Sequence, residues 1–169
     1  CTNSICTPSR ASILTGTYSH INRAPSIYSE FDYRVPTFPQ VLQQAGYQTA
    51  LYGKWHLGRS EKARPRGFDD WRIYPDQGAY VDPVMIGPDG EEQLSGYATD
   101  IVTAQSLDFL DRRDPDRPFC LLVHHKAPHR PWIPHPRYEH LYEAGTIPEP
   151  ETMWDDHATR SEVVREVAM

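Results

Sequence analysis

Three short runs hold most of the side chains in this sequence that can do chemistry near neutral pH. Cys6-Thr7-Pro8-Ser9-Arg10 joins a thiol to a guanidinium. Tyr52-Gly53-Lys54-Trp55-His56-Leu57-Gly58 adds an ammonium and an imidazole, and His124-His125-Lys126-Ala127-Pro128-His129 adds three imidazoles and a second lysine. An imidazole titrates close to neutrality and can give or take a proton, whereas an unperturbed lysine or arginine mostly supplies charge. The runs together offer a nucleophile, proton carriers and donors for one small polyanion.

These runs need elements that bring them together. Pro8 suits a first helical turn and Gly16 a C-terminal cap, with apolar Ala11, Ile13 and Leu14 between them, so a helix is expected over 8–14. Cys6 then lies at a helix N-terminus, where unpaired N–H groups and the dipole attract an anion. Thr37 to Ala45 reads as a helix stopped by Gly46, followed by a strand from Gln48 to Tyr52. Tyr97, Ile101, Ala104, Leu107 and Leu110 form the apolar stripe of a helix over 97–112 that should cover a sheet. Phe119 to Val123 is apolar throughout, the pattern of a strand buried on both faces of a mainly parallel sheet. Arg59 to Gly96 reads as loops with a small hairpin around Pro88-Asp89-Gly90, and Thr159 to Met169 as a helix. The expected class is α/β. Both strands run directly into the clusters named above, and ligands of open α/β sheets bind beyond the carboxyl ends of strands. Cys6, Arg10, Lys54, His56 and His129 should therefore converge on one pocket.

Composition bounds the function. The 169 residues suit one domain, without internal repeats or a long linker. The net charge of -6 provides no basic field to recruit nucleic acid or an anionic membrane. No apolar run approaches the roughly 20 residues that span a bilayer. Sixteen prolines, eight of them between Pro115 and Pro150, make the C-terminal part rich in loops. Three cysteines, Cys1, Cys6 and Cys120, cannot all pair internally.

Structural readings compete with the chemical ones. Cys6 could be a small buried hydrophobe, and Lys54 and His56 a solvated strand end. A phosphatase-type thiolate loop needs five residues between cysteine and arginine, and here there are three. His124, His125 and His129 suggest zinc, yet no fourth ligand has recognisable spacing. His20 reads as a surface residue. Trp55, Trp71 and Trp132 could stack on a sugar or simply pack.

The run from Cys6 to Gly16 resembles the signature of the type I sulfatases, in which Cys-x-Pro-Ser-Arg is oxidised at cysteine to formylglycine. Gly53-Lys54-Trp55-His56-Leu57-Gly58 is similar to the family's second signature, and Ala127-Pro128-His129 fits in order and spacing. The resemblance implies a partial alkaline-phosphatase-like sandwich, with a mainly parallel sheet flanked by helices. It implies a sulfuric ester hydrolase, closest in feel to bacterial carbohydrate sulfatases, that takes sulfated small molecules or glycans and depends on a formylglycine-generating enzyme. A phosphonate or phosphate monoester hydrolase of the same superfamily, or a non-catalytic binding module, remains open. By analogy, one hydroxyl of hydrated residue 6 attacks sulfur, and His56 takes the proton of the other so that sulfate is expelled. Lys54 bridges residue 6 and a sulfate oxygen, Arg10 holds residue 6, and His129 contacts sulfate and protonates the leaving oxygen. Lys126 is a candidate substrate contact. The family's calcium (Ca2+) would find only residue 6 as a ligand here, its Asp pair and later Asp and Asn lying outside the chain. Residues 1–169 then read as a piece of the N-terminal catalytic domain, truncated at both ends and inactive alone. Truncation is preferred to a lipidated Cys1, and a periplasmic or extracellular address is the family tendency.

The complete pentapeptide predicts conversion of Cys6 when a formylglycine-generating system is co-expressed. The peptide around Leu14 should lose about 18 Da relative to cysteine, a value set by the covalent change. An active preparation retaining the free thiol contradicts this.

Overall fold

In a computed structural model, residues 3–143, 145 and 147–166 are described. Helix α1, Cys6–Thr15, starts with Cys6 as its first residue and ends at Gly16, which takes the left-handed conformation of a C-terminal cap. After the single turn α2, Ser19–Asn22, helix α3, Phe38–Gln44, starts with a capping box, in which the backbone N–H of Thr37 donates to Gln40 Oε1. Strand β1, Gln48–Lys54, extends two residues past expectation and so includes Lys54.

Strand β1 lies inside a five-stranded sheet with β2 (Asp70–Tyr74), β3 (Val84–Gly87), β4 (Gly90–Gln93) and β5 (Phe119–His124), in the order β4-β3-β2-β1-β5. It is parallel to both β2 and β5, pairing Gly53 with Ile73 on one side and with His124 on the other. The β2–β3 and β3–β4 pairings are antiparallel, and the last is the hairpin expected around Pro88-Asp89-Gly90. The sheet is therefore mixed, with a parallel centre. Strand β2 was expected to be loop. Its alternating buried Trp71 and Ile73 sit among Asp, Gly and Pro that obscure a five-residue strand.

Successive β1 side chains point to opposite faces. Leu51 joins Ala11, Leu14, Trp55, Leu57 and Trp71 in one core, while Ala50 and Tyr52 join Tyr74, Met85, Ala98, Val102 and Phe109 in the other. A fully buried side chain such as Leu51 contributes about 1.5–3 kcal/mol. Helix α4, Ala98–Arg112, covers the second face, but with Ala98, Val102, Ser106 and Phe109 inward. Ile101 and Leu110 of the expected stripe pack at the edge of this face, which is otherwise shifted by about one residue and leaves Leu107 exposed. Ser106 can be buried because its hydroxyl donates to the Val102 carbonyl at 2.7 Å within the same helix. Strand β5 also departs from expectation. It is an edge strand with Phe119 41% and Val123 39% exposed, so it is not buried on both faces.

The chain divides into two units, one ending at Ile133 and one starting at Pro134. The second unit contains a short 3-10 turn, Pro136–Tyr138, and helix α5, Glu162–Glu166, which starts three residues later than the expected Thr159. Cys1 and residues 167–169 lie outside the described residues.

Gly53 has φ 102°, and a Cβ there would lie 2.1 Å from the His124 carbonyl oxygen. Gly53→Ala in the full-length protein should therefore cost about 3 kcal/mol through overpacking. Gly16→Ala, with nothing within 4 Å, should cost about 1 kcal/mol for its φ of 65° alone. Equal shifts of the thermal midpoint would show that the close approach does not govern Gly53.

Candidate active site

The close approach at Gly53 brings together the carboxyl ends of β1 and β5. Arg10, in the second turn of α1, reaches into this junction: one guanidinium nitrogen donates to the Lys54 carbonyl at 2.7 Å and lies 3.0 Å from His124 Nδ1. The same Nδ1 lies 3.1 Å from the Lys54 carbonyl, so the guanidinium, which only donates, and the carbonyl, which only accepts, both face one ring nitrogen. Burial, reinforced by Arg10, pushes His124 down to about 4. Thr7 ties α1 to the next segment by donating to the His56 carbonyl at 2.8 Å.

Cys6 opens α1 with no side-chain cap on the helix, and His56 Nδ1 lies 3.1 Å from its Sγ. His56 has φ 53°, a left-handed conformation uncommon for residues other than glycine, and it directs the ring back towards α1. The far ring nitrogen, Nε2, lies 3.0 Å from Asp76 Oδ1 and 3.3 Å from the Gln77 side-chain nitrogen. Asp76 also adopts a positive φ, 54°, and its other oxygen accepts from Arg59 at 2.7 Å. Burial lowers the pKa of His56, Lys54 and Arg10 add to the depression, and Asp76 opposes it.

Lys54 is 4% exposed and donates to Gln77 Oε1 at 2.5 Å. Burial lowers its pKa, with the Cys6 thiol opposing and Arg10 and Lys126 reinforcing. Lys126, also buried, donates to the Gln77 carbonyl at 3.2 Å and sits 4.9 Å over the Tyr80 ring. Cys6 thus meets His56 directly, Arg10 meets the Lys54 main chain, and Gln77 links the side chains of His56, Lys54 and Lys126. The His129 ring lies 2.7 Å from the neighbouring Arg130 carbonyl and shares no hydrogen bond with this group, although the His129 backbone accepts from Tyr80 at 2.5 Å. A cavity of about 460 Å³ opens beside Cys6, Ser9, Arg10, Trp55 and His124.

Asp76 and Gln77 were not among the sequence candidates. They directly follow β2, a parallel strand ending at the same sheet edge as β1, so recognising β2 would have pointed to them. Trp55 and Trp71 are core residues, Trp55 donating to the Ala63 carbonyl at 2.7 Å, while Trp132 is exposed. His20 is exposed and stacks on Tyr18. Among the described residues no three His, Cys, Asp or Glu side chains are grouped to hold a metal.

Residues 1–167 match the family model described as Sulfatase. The N-acetylglucosamine-6-O-sulfatase of Bacteroides thetaiotaomicron is 45% identical over 171 residues, covering 99% of this chain and 30% of that protein. The human N-acetylglucosamine-6-sulfatase is 30% identical, covering 83% of this chain and 29% of that protein. A structure solved in complex with D-glucosamine-2-N,6-O-disulfate, described as its substrate, superposes with a TM-score of 0.90 at 44% identity, covering 98% of this chain and 33% of that one. The chain thus spans about a third of the length of these relatives and shares their α/β fold.

The environment of His124 sets a pH dependence. Its folded pKa of about 4 lies below the unfolded value, so between about pH 6.5 and 4 the unfolded chain binds the proton and the folded chain does not. Stability is full above that window and falls as pH drops through it, by roughly 2 kcal/mol after allowing for partial exposure. Urea titrations of His124→Gln should show a shallower slope over this window. An unchanged slope would contradict the assignment.

Proposed function

The chain belongs to the sulfatase family, and on that premise we propose that it supplies the nucleophile, anion cradle and proton-transfer groups of an enzyme hydrolysing 6-O-sulfate esters of glucosamine-containing glycans. The observation that carries the reading is the 3.1 Å contact between Cys6, at the start of α1, and His56 Nδ1, with Lys54 and Arg10 behind them. Conversion of Cys6 to formylglycine by a formylglycine-generating enzyme supplies, on hydration, one hydroxyl that attacks sulfur and a second whose deprotonation releases sulfate.

Around that group each side chain has a defined task. Nδ1 of His56 accepts the proton from residue 6. Arg10 and the N–H groups opening α1 lower the potential felt by a sulfate bound there. Lys54, buried and cationic, holds a sulfate oxygen against residue 6, and Lys126 contacts the substrate beyond it. His129, on the segment after β5, contacts the sulfate and protonates the departing sugar oxygen. Calcium is a feature of the family that these residues do not fit by themselves: it needs six to eight oxygen ligands, and the cavity beside Cys6 is lined by no carboxylate. Residue 6 is the one ligand proposed from this chain. A periplasmic or extracellular location accords with a glycan substrate, and no helix among the described residues is long and apolar enough to cross a membrane.

The full-length protein, converted at residue 6, should release sulfate from N-acetylglucosamine-6-O-sulfate and from D-glucosamine-2-N,6-O-disulfate. Cys6→Ala should abolish the activity. His56→Ala should slow turnover by roughly 10²–10⁴-fold after a burst of sugar product. His129→Ala should slow sugar esters more than activated aryl esters, since only the poorer leaving group needs a proton. Faster hydrolysis of aryl phosphate than of any sulfate ester would favour the phosphatase reading, and equal losses in both histidine variants on both ester types would contradict the division of labour.

A further inference from the structure

Nε2 of His56 has two competing partners. Asp76 Oδ1, 3.0 Å away, can only accept, and so favours a proton on Nε2. The Gln77 amide nitrogen, 3.3 Å away, can only donate, and so favours the opposite tautomer. Each partner is oriented by a neighbour. Lys54 donates to Gln77 Oε1, which fixes the amide with its NH2 towards His56, and Arg59 holds Asp76 Oδ2, which leaves Oδ1 for the ring. Both Asp76 and His56 hold left-handed backbone conformations, each worth about 1 kcal/mol or more of strain, that keep this geometry.

We propose that Asp76 is a positioning residue that selects the Nε2–H tautomer of His56 against Gln77, keeping the Nδ1 lone pair aimed at residue 6. The ionic, shorter contact prevails over the neutral one. Without the carboxylate, the Gln77 NH2 donates to Nε2, the proton moves to Nδ1, and the atom facing residue 6 becomes a donor that cannot accept a proton. Asp76→Asn should act like Asp76→Ala. Arg59 draws the amide oxygen into the Oδ2 position, which leaves the new NH2 facing Nε2. The charged groups around the ring are Arg10 from α1, Lys54 from β1, and Asp76 with Arg59 on the turn side, with the Cys6 thiol at Nδ1.

The inference rests on the sulfatase reading for its consequence but not for its test. In the full-length protein with Cys6 unconverted, long-range proton–nitrogen correlation of 15N-histidine at pH 8, assigned by loss in His56→Ala, should show the Nε2–H form. It should show the Nδ1–H form in both Asp76→Asn and Asp76→Ala, and the Nε2–H form again in Gln77→Ala. Retention of Nε2–H in both Asp76 variants overturns the proposal. In the converted enzyme Asp76→Asn should lower kcat by roughly 10²–10⁴-fold with KM little changed, and adding it to His56→Ala should cause no further loss, because both act on one proton transfer. Additive losses also overturn the proposal. A wild-type protein that cleaves no sulfate ester counts against the sulfatase reading, while the tautomer spectra still decide the role of Asp76.

Discussion

The backbones of β1 and β5 come together at Gly53 and His124 more closely than any side chain allows, and the arrangement of the site follows from that contact. It places the Lys54 carbonyl and the His124 ring within reach of one guanidinium, so Arg10 links α1 to two strand ends at once. With α1 held there, Thr7 captures the His56 carbonyl and the imidazole is carried up to Cys6. Residues far apart in sequence thus acquire fixed distances from a single main-chain constraint, reinforced by hydrogen bonds to main-chain carbonyls.

The electrostatic character of the junction runs against that of the whole chain. The sequence carries a net charge of -6, yet Arg10, Lys54 and Lys126 are gathered in one half-buried region where burial depresses the pKa of each. Their neighbours are mostly neutral acceptors: the Lys54 and Gln77 carbonyls, the Gln77 side chain and the face of Tyr80. Neutral acceptors satisfy the donors without cancelling the field, which leaves positive potential for an incoming anion. Asp76 bonds the outer nitrogen of His56 and reaches Lys54 only through space, so it tunes the imidazole more than it neutralises the lysine.

Much of this organisation could be read from residue types. Helices α1 and α3 carry their own start and stop signals, Pro8, Gly16, Thr37 and Gly46, and α4 and the parallel strands β1 and β5 fall within two residues of where periodicity puts them. What escaped depended on partners distant in sequence. Strand β2 forms because Trp71 and Ile73 find the core beneath β1, a fact no local window contains, and with β2 went Asp76 and Gln77. The inward face of α4 includes Ser106, whose hydroxyl is satisfied within its own helix, a pairing that an apolar periodicity does not register. The site residues with recognisable neighbours, Cys6, Arg10, Lys54 and His56, stood out; those that orient them sit in a turn whose sequence signals only a turn.

The half-exposed edge strand affects how the chain behaves in the laboratory. Among the described residues β5 pairs only with β1, and its other side presents a line of main-chain donors and acceptors flanked by Phe119 and Val123. Such an edge is a template for a further strand, and for the 169-residue chain produced by itself the most abundant strand in solution is another copy of β5. Poor solubility of that chain would then report on an uncovered sheet edge and carry no information about whether the site is correctly built.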